Sequence, residues 1–159
     1  MSRTGTAPAQ ADSVDDDTLV TWWGLVVEGY ARVSRRLADE LQREVELPGP
    51  WFEVLLRLSR SPGQRLPLSQ LAREVSFSSG GFTKLADRLV HAGLIARTGC
   101  ASDRRVTYAM LTDSGAALLD RALRRHLDGL RTHVLEPLGP EALGQVAQAM
   151  GTLRDRCPE

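Results

Sequence analysis

The side chains in this sequence best suited to specific chemistry are the basic ones between Lys84 and Arg105. Lys84 and Arg88 are four residues apart, so on a helix they would share one face. Arg104 and Arg105 follow Asp103 in a segment rich in Gly, Ser and Asp. Ammonium and guanidinium groups bind phosphates, and both can pair with the major-groove edge of guanine. The segment therefore has the side chains needed to contact the backbone and base edges of a nucleic acid.

Charge is segregated along the chain, although the formal net charge of the 159 residues is +0. The segment from Lys84 to Arg105 contains five basic and two acidic residues, a balance of plus three. The first 17 residues contain one arginine and four aspartates, a balance of minus three. Attraction to phosphate is screened beyond about 8 Å at physiological salt, so the local balance matters more than the total.

The elements that must position these basic residues form a helix-turn-helix. A first helix begins with Pro67 at its first position and includes Leu71. A second helix runs from Ser79 to His91, with Ser78 or Ser79 as its N-terminal cap. Its apolar positions recur every three to four residues, and Gly93 ends it by adopting the left-handed conformation. The apolar positions are Phe82, Leu85, Leu89 and Val90, and the opposite face carries Ser79, Thr83, Lys84, Asp87 and Arg88.

A β-hairpin is predicted directly after this second helix. Ile95–Thr98 and Val106–Leu111 have strand character, and the segment 99–105 between them is rich in turn-forming residues. Arg104 and Arg105 lie where the tip of the hairpin rejoins the second strand. A helix-turn-helix followed by such a hairpin is a winged helix.

Long amphipathic helices are predicted on both sides of this centre, so the fold class is mainly α with a small β-hairpin wing. Helices are expected at Leu19–Val45, from Trp51 to Leu58, at Asp113–Leu135 with Thr112 as its cap, and at Glu141–Arg156. Residues 1–17 are expected to be a disordered tail, and residues 18–156 one domain. Within it, 47–112 form the winged helix, and 18–46 and 113–156 form dimerisation helices. Helices that extend beyond their own domain predict a two-fold homodimer.

These motifs resemble the multiple-antibiotic-resistance regulator (MarR) family of bacterial transcription factors. The resemblance covers residues 18–156 and is strongest from Ala92 to Gly115, where Asp103-Arg104-Arg105 precedes a strand and the run Leu111-Thr112-Asp113-Ser114-Gly115. The Lys84–Leu89 run in the second helix also matches. Two glycines, Gly80 and Gly81, depart from good helix-forming character at the start of that helix.

The resemblance implies a homodimeric regulator, expected to be a repressor, that binds a pseudo-palindromic operator in double-stranded DNA. The second helix would enter the major groove, Arg105 would reach the minor groove, and Asp103 would hold an arginine in place. Lys84 could contact either a phosphate or a guanine. The predicted DNA-contacting set is Ser78, Ser79, Gly80, Gly81, Thr83, Lys84, Arg88, Arg97, Asp103, Arg104 and Arg105.

The resemblance also implies a small-molecule pocket where the first two helices meet the winged helix. Aromatic residues are gathered on those helices, and such walls suit a planar aromatic or phenolic effector. Alternatively, the same aromatic residues belong to the hydrophobic core or to the dimer interface. The predicted pocket residues are Trp22, Trp23, Val26, Tyr30, Trp51 and Leu55.

Other functions are either excluded or kept as alternatives. The sequence has no catalytic motif, and His126 and His133 would lie about 10 Å apart on one helix, so neither an enzyme nor a metal or cofactor site is expected. Cys100, near the wing arginines, suggests a redox-responsive regulator as an alternative. A winged helix that binds protein instead of DNA is the other alternative. Without a membrane-length apolar run or a signal sequence, a cytoplasmic protein is expected.

Overall fold

The computed structural model describes residues 14–75, 79–99 and 106–157, with only the backbone described at 79 and 80. It confirms the predicted fold class, because helices dominate and a small antiparallel sheet accompanies them. The chain divides into two compact units, residues 1–34 and residues 35–159. The first helix, α1, is Asp16–Val45, and the boundary between the two units falls after its residue Ser34.

The described part of the first unit is residues 14–34, which include the first 19 residues of α1. Asp15 precedes the helix, and its carboxylate accepts hydrogen bonds from the backbone N–H of Thr18 at 3.0 Å and from the Thr18 hydroxyl at 2.7 Å. The side-chain hydrogen bond from Thr18 is the main cause that lowers the pKa of Asp15 below its ordinary value. Asp16 and Asp17, assigned to the tail by sequence, form the first turn of α1, while residues 1–13 lie outside the described residues.

The second unit contains the remaining helices and the sheet. Its core is a continuous apolar cluster that includes Leu47, Leu55, Leu58, Leu71 and Leu89, all completely buried. The helices are α2 (Gly49–Ser59), α3 (Leu68–Glu74), α4 (Ser79–His91), α5 (Asp113–Leu130) and α6 (Glu136–Arg156). A π-helical turn, Arg131–Leu135, joins α5 to α6, and α6 has a break at Gly139, where φ is 73° and ψ is 163°.

The sheet has three strands in the order β1-β3-β2: β1 is Arg65–Pro67, β2 is Ile95–Gly99 and β3 is Thr107–Leu111. The predicted hairpin is confirmed, because Ile95 pairs with Leu111 and Gly99 with Thr107. Strand β1 was not predicted. Pro67 was expected at the first position of α3, but it is the last residue of β1 and precedes the helix. An edge strand accepts proline because its outer N–H needs no partner in the sheet.

The junction between α4, the sheet and α5 is fixed by local hydrogen bonds. Gly93 adopts a left-handed conformation (φ 71°), and the N–H of Leu94 donates to the carbonyl of Leu89 at 3.0 Å, as predicted for this helix end. The Thr112 hydroxyl accepts from the N–H of Gly115 at 3.0 Å, which confirms the predicted cap. The same hydroxyl donates to the carbonyl of Gly93 at 2.7 Å, so one side chain joins both helix ends.

A buried carboxylate joins the C-terminal half of α1 to α5. Glu40 is 5% exposed, and its Oε1 lies 3.0 Å from Arg36 Nε and 2.7 Å from His133 Nε2. Its Oε2 lies 2.9 Å from Arg125 Nη2. Gly129 permits this approach, since a Cβ there would meet Leu37 Cδ2 at 2.6 Å and Glu40 Oε2 at 3.0 Å. The result is a charged contact that ties two helices and the π-helical turn together.

Candidate nucleic-acid interface

Helix α4 separates an apolar face from a polar one, as its sequence predicts. Phe82, Leu85, Ala86 and Leu89 are buried in the core of the second unit. From Gly81 to the end of the helix, the exposed residues are Gly81, Thr83, Lys84, Asp87, Arg88 and His91. Because burial fixes the apolar face against α3 and β2, the side chains of the polar face point to solvent.

The predicted contact residue Arg97 is held by the helix beside it. Arg97, on β2, makes an ion pair with Asp87 of α4, with 2.8 Å between Nη2 and Oδ1. Both side chains are partly exposed, so the pair contributes at most about 1 kcal/mol to stability. The main effect of the ion pair is to hold the side chain of Arg97, and with it strand β2, against α4. Asp87 was not among the predicted site residues, and no local pattern links it to a partner ten residues away on a strand.

The remaining predicted DNA-contacting residues fall into two groups. Lys84 and Arg88 lie together on the exposed face of α4, with Gly81 and Thr83 one turn earlier. Ser79 and Gly80 form the backbone start of that helix. Ser78, Asp103, Arg104 and Arg105 lie outside the described residues, as does Cys100. The structure thus brings the helix part of the predicted interface together with the base of the hairpin.

An open cleft lies at the C-terminal end of α4. It has a volume of about 560 Å³ and is lined by Trp51 of α2 together with Asp87, Arg88, His91 and Ala92. The indole of Trp51 supplies an aromatic wall, and Arg88 supplies a cation at the rim. The lining thus combines one aromatic wall, the cation of Arg88 and the carboxylate of Asp87, and that carboxylate is paired with Arg97.

The predicted pocket residues occupy different environments. Trp22, Trp23 and Tyr30 are 56%, 58% and 74% exposed in the first unit, and Val26 is also exposed there. In the second unit Trp51 is partly buried, and Leu55 is completely buried in the core. Trp51 is therefore the predicted pocket residue that lines an open cleft within the second unit.

The two histidines of α5 and the π-helical turn have side-chain partners. The ring of His126 lies 4.8 Å from that of Phe52 between centroids, and burial, followed by the charge of Arg60, lowers the pKa of His126 below its ordinary 6.5. His133 contacts Glu40 instead. Among residues 14–75, 79–99 and 106–157 no three His, Cys, Asp or Glu side chains are grouped as a metal site would require.

Comparison with known proteins gives the family of this chain. A model described as MarR family matches residues 46–106. The transcriptional regulator PecS of Dickeya dadantii is 30% identical over 132 residues, covering 80% of this chain and 78% of PecS. The chain belongs to the MarR family. The regulator MhqR of Bacillus subtilis is also 30% identical, over 98 residues that cover 60% of this chain and 67% of MhqR.

Solved structures agree with a MarR-family winged helix. The MarR-family regulator Sco3205 of Streptomyces coelicolor, solved in complex with DNA, is 26% identical with a TM-score of 0.80. The alignment covers 94% of this chain and 93% of Sco3205. MarR-family proteins are DNA-binding transcriptional regulators and not enzymes, so the predicted class is confirmed. Of the helices in the described residues, none combines the length and apolar character needed to cross a bilayer.

Proposed function

We propose that this MarR-family protein is a homodimeric repressor that binds a pseudo-palindromic operator and leaves it on binding a planar, anionic aromatic compound. The observation that carries the DNA-binding part is the exposed polar face of α4 beside a hairpin strand fixed by the Arg97–Asp87 ion pair. Lys84 and Arg88 on that face supply cations for phosphate or guanine. A regulator that acts on duplex DNA in a bacterium would work in the cytoplasm.

The homodimer is supported by exposed apolar side chains at both ends of the chain. In the first unit, α1 exposes eight of them within twelve residues, more than a soluble monomer leaves uncovered. In the second unit, α6 exposes Val146, Met150 and Leu153. A second copy of the chain can cover both sets by two-fold symmetry. The eight residues of α1 are Leu19, Val20, Trp22, Trp23, Leu25, Val26, Val27 and Tyr30.

The operator geometry follows from two-fold symmetry. Two α4 helices must enter successive major grooves, so the half-sites should be about 10 base pairs apart. Duplexes selected from random sequence should contain two inverted half-sites at that spacing, and the footprint should cover both. Sedimentation should give a dimer at micromolar concentration. A folded monomer, or a footprint that covers only one half-site, would overturn the proposal of a homodimer.

Lys84→Ala tests the helix contact and its type. If Lys84 binds phosphate, all duplexes should bind more weakly to a similar extent, and the salt slope should fall by about one. If Lys84 reads a guanine, the loss should be about 1–3 kcal/mol and confined to one base position. Arg154→Gln, at the end of α6, is the matched control. If the affinity of the parent protein for the duplex does not fall as salt rises, the alternative of a winged helix that binds protein is favoured.

The effector part of the proposal is supported by the cleft at Trp51. A planar acid there would stack on the indole and place its carboxylate near Arg88, which the operator also needs. Hydroxybenzoic acids should quench tryptophan fluorescence and release the selected duplex. Trp51→Leu should prevent release while leaving affinity for free duplex unchanged. A panel of such acids with no effect on either signal would refute this part.

The redox alternative stays a prediction for Cys100. A peroxide that releases the parent from its duplex should fail to release Cys100→Ser if that thiol is the sensor.

A further inference from the structure

Strand β1 places an arginine beside the base of the hairpin. The guanidinium carbon of Arg65 lies 5.3 Å from the centroid of the Tyr108 ring, a cation–π arrangement. Arg65 is exposed and makes no ion pair with any carboxylate of the described residues. Stacking uses the flat face of a guanidinium and leaves its in-plane N–H donors free to bind an anion. Arg65 is therefore positioned without being neutralised.

The sheet register puts this pair on the outer face, away from the core. Leu66 and Ala109 face each other across β1 and β3, and both are buried. Side chains alternate along a strand, so Arg65 and Tyr108 lie on the opposite face. Tyr108 lies two residues, or about 7 Å along the strand, after Val106, the first described residue after the segment 100–105.

The turn before Arg65 has an uncommon backbone conformation. Gly63 and Gln64 both have positive φ, 62° and 53°. Glycine adopts this region readily, but for Gln64 it costs free energy that the surrounding structure must offset. The turn ends immediately at Arg65, so it determines where β1 begins and on which face Arg65 lies.

We propose that Arg65, held on the Tyr108 ring, is a further DNA contact that binds a phosphate bordering the groove entered by the hairpin. The inference rests on the proposed DNA-binding function. The minor groove is walled by phosphates. Arg65 pairs with Met110 in β3, and its side chain extends along the outer face of the sheet to Tyr108, two residues nearer the hairpin tip, which would bring it toward one of those walls. A guanidinium there binds phosphate through parallel N–H donors. Such a contact positions the protein and carries no sequence information.

The test is the salt dependence of Arg65→Gln, which removes the charge and keeps much of the side-chain length. The probe is a fluorescein-labelled duplex recovered by selection from random sequences, titrated between 50 and 200 mM salt by fluorescence anisotropy. The slope of log K against log salt should fall in magnitude by about 0.9, the value for one lost phosphate contact. Affinity should fall by the same factor for a scrambled duplex, while Arg65→Lys should keep the slope.

Two further variants separate the contact from general effects. Arg154→Gln removes one positive charge at the end of α6 and should leave the slope unchanged. Tyr108→Leu keeps the charge of Arg65 but removes its support, so affinity should fall while the slope is retained. The thermal midpoint and dimer mass of each variant show whether a loss of DNA affinity is caused by unfolding. If Arg65→Gln does unfold, Arg65→Lys keeps the fold and is compared with the parent instead.

The possible failures are distinguishable. If the parent binds with a steep salt slope and Arg65→Gln matches it in slope and affinity, the Arg65 contact is wrong and the DNA-binding function stands. If Arg154→Gln lowers the slope equally, the effect is one of net charge, and the inference is again overturned. If the parent shows no salt dependence, the proposed function itself fails.

Discussion

Removing the charge of Glu40 should destabilise the protein far more than removing the charge of its exposed partner Arg36. Burial alone would raise the pKa of Glu40, but hydrogen bonds from His133 and Arg36 and the charge of Arg125 together hold it below the ordinary 4.5. The carboxylate is thus ionised at neutral pH and is surrounded by donors. Glu40→Gln removes the charge with little change of shape and turns an amide NH₂ toward these donors.

The expected magnitude follows from the burial of each partner. The side chain of Arg125 is 27% exposed, so Glu40→Gln leaves a largely covered cation without its buried counter-charge. Breaking a buried pair from one side costs about 3–5 kcal/mol, and the lower end applies because Arg125 also contacts Glu44 at 2.5 Å. The side chain of Arg36 is 62% exposed, so Arg36→Gln should cost about 1 kcal/mol or less.

Urea unfolding followed by circular dichroism measures both variants. All proteins should be compared at one concentration, because a dimer has concentration-dependent stability. With a slope of about 2 kcal/mol per molar urea, the midpoint of Glu40→Gln should fall by about 1.5 M. The folded pKa of Glu40 lies below its unfolded value, so this stabilisation is present above pH 4.5 and disappears as pH falls through the folded pKa. The difference between parent and Glu40→Gln should therefore narrow in acid.

Equal midpoints for Glu40→Gln and Arg36→Gln would refute this reasoning. That result would mean that the contacts of the Glu40 carboxylate with its partners stabilise the fold by no more than the free-energy cost of burying it.

Two further predictions concern α5. Thr112→Ala should lower the free energy of unfolding by about 2 kcal/mol, because it removes both the cap to Gly115 and the hydrogen bond to Gly93. Thr112→Ser should retain both hydrogen bonds. In thermal unfolding, the midpoint should therefore fall by about 4–8 °C for Thr112→Ala and stay unchanged for Thr112→Ser. His126 has a folded pKa below 6.5, so the parent should lose stability as pH falls from 6.5 through that pKa, since the unfolded chain binds the proton first. His126→Phe keeps a ring against Phe52 and should lose less stability over that range; a parallel decline in both proteins would show that another group is responsible.

The local elements and the candidate helix face can be predicted from short stretches of sequence. The apolar spacing of α4, Gly93 after its end and Thr112 before α5 are each decided within a few residues, because helix periodicity, capping and left-handed termination depend on neighbours in the chain. The same local rules placed Lys84 and Arg88 together. The run from Ala92 to Gly115 is specific enough to indicate the family from the sequence alone.

Contacts between segments that are distant in the sequence depend on the folded core and cannot be predicted from local patterns. Three-residue β1 has too little pattern to be recognised, and it exists because β3, more than forty residues later, offers it hydrogen-bonding partners. Packing of β2 against α4 likewise brings Arg97 to Asp87. The π-helical turn after α5 brings His133 to Glu40 of α1, 93 residues away. Ion pairs and edge strands of this kind depend on which surfaces the core brings together. The burial of all the apolar side chains of the core determines those surfaces, and no local run of residues does.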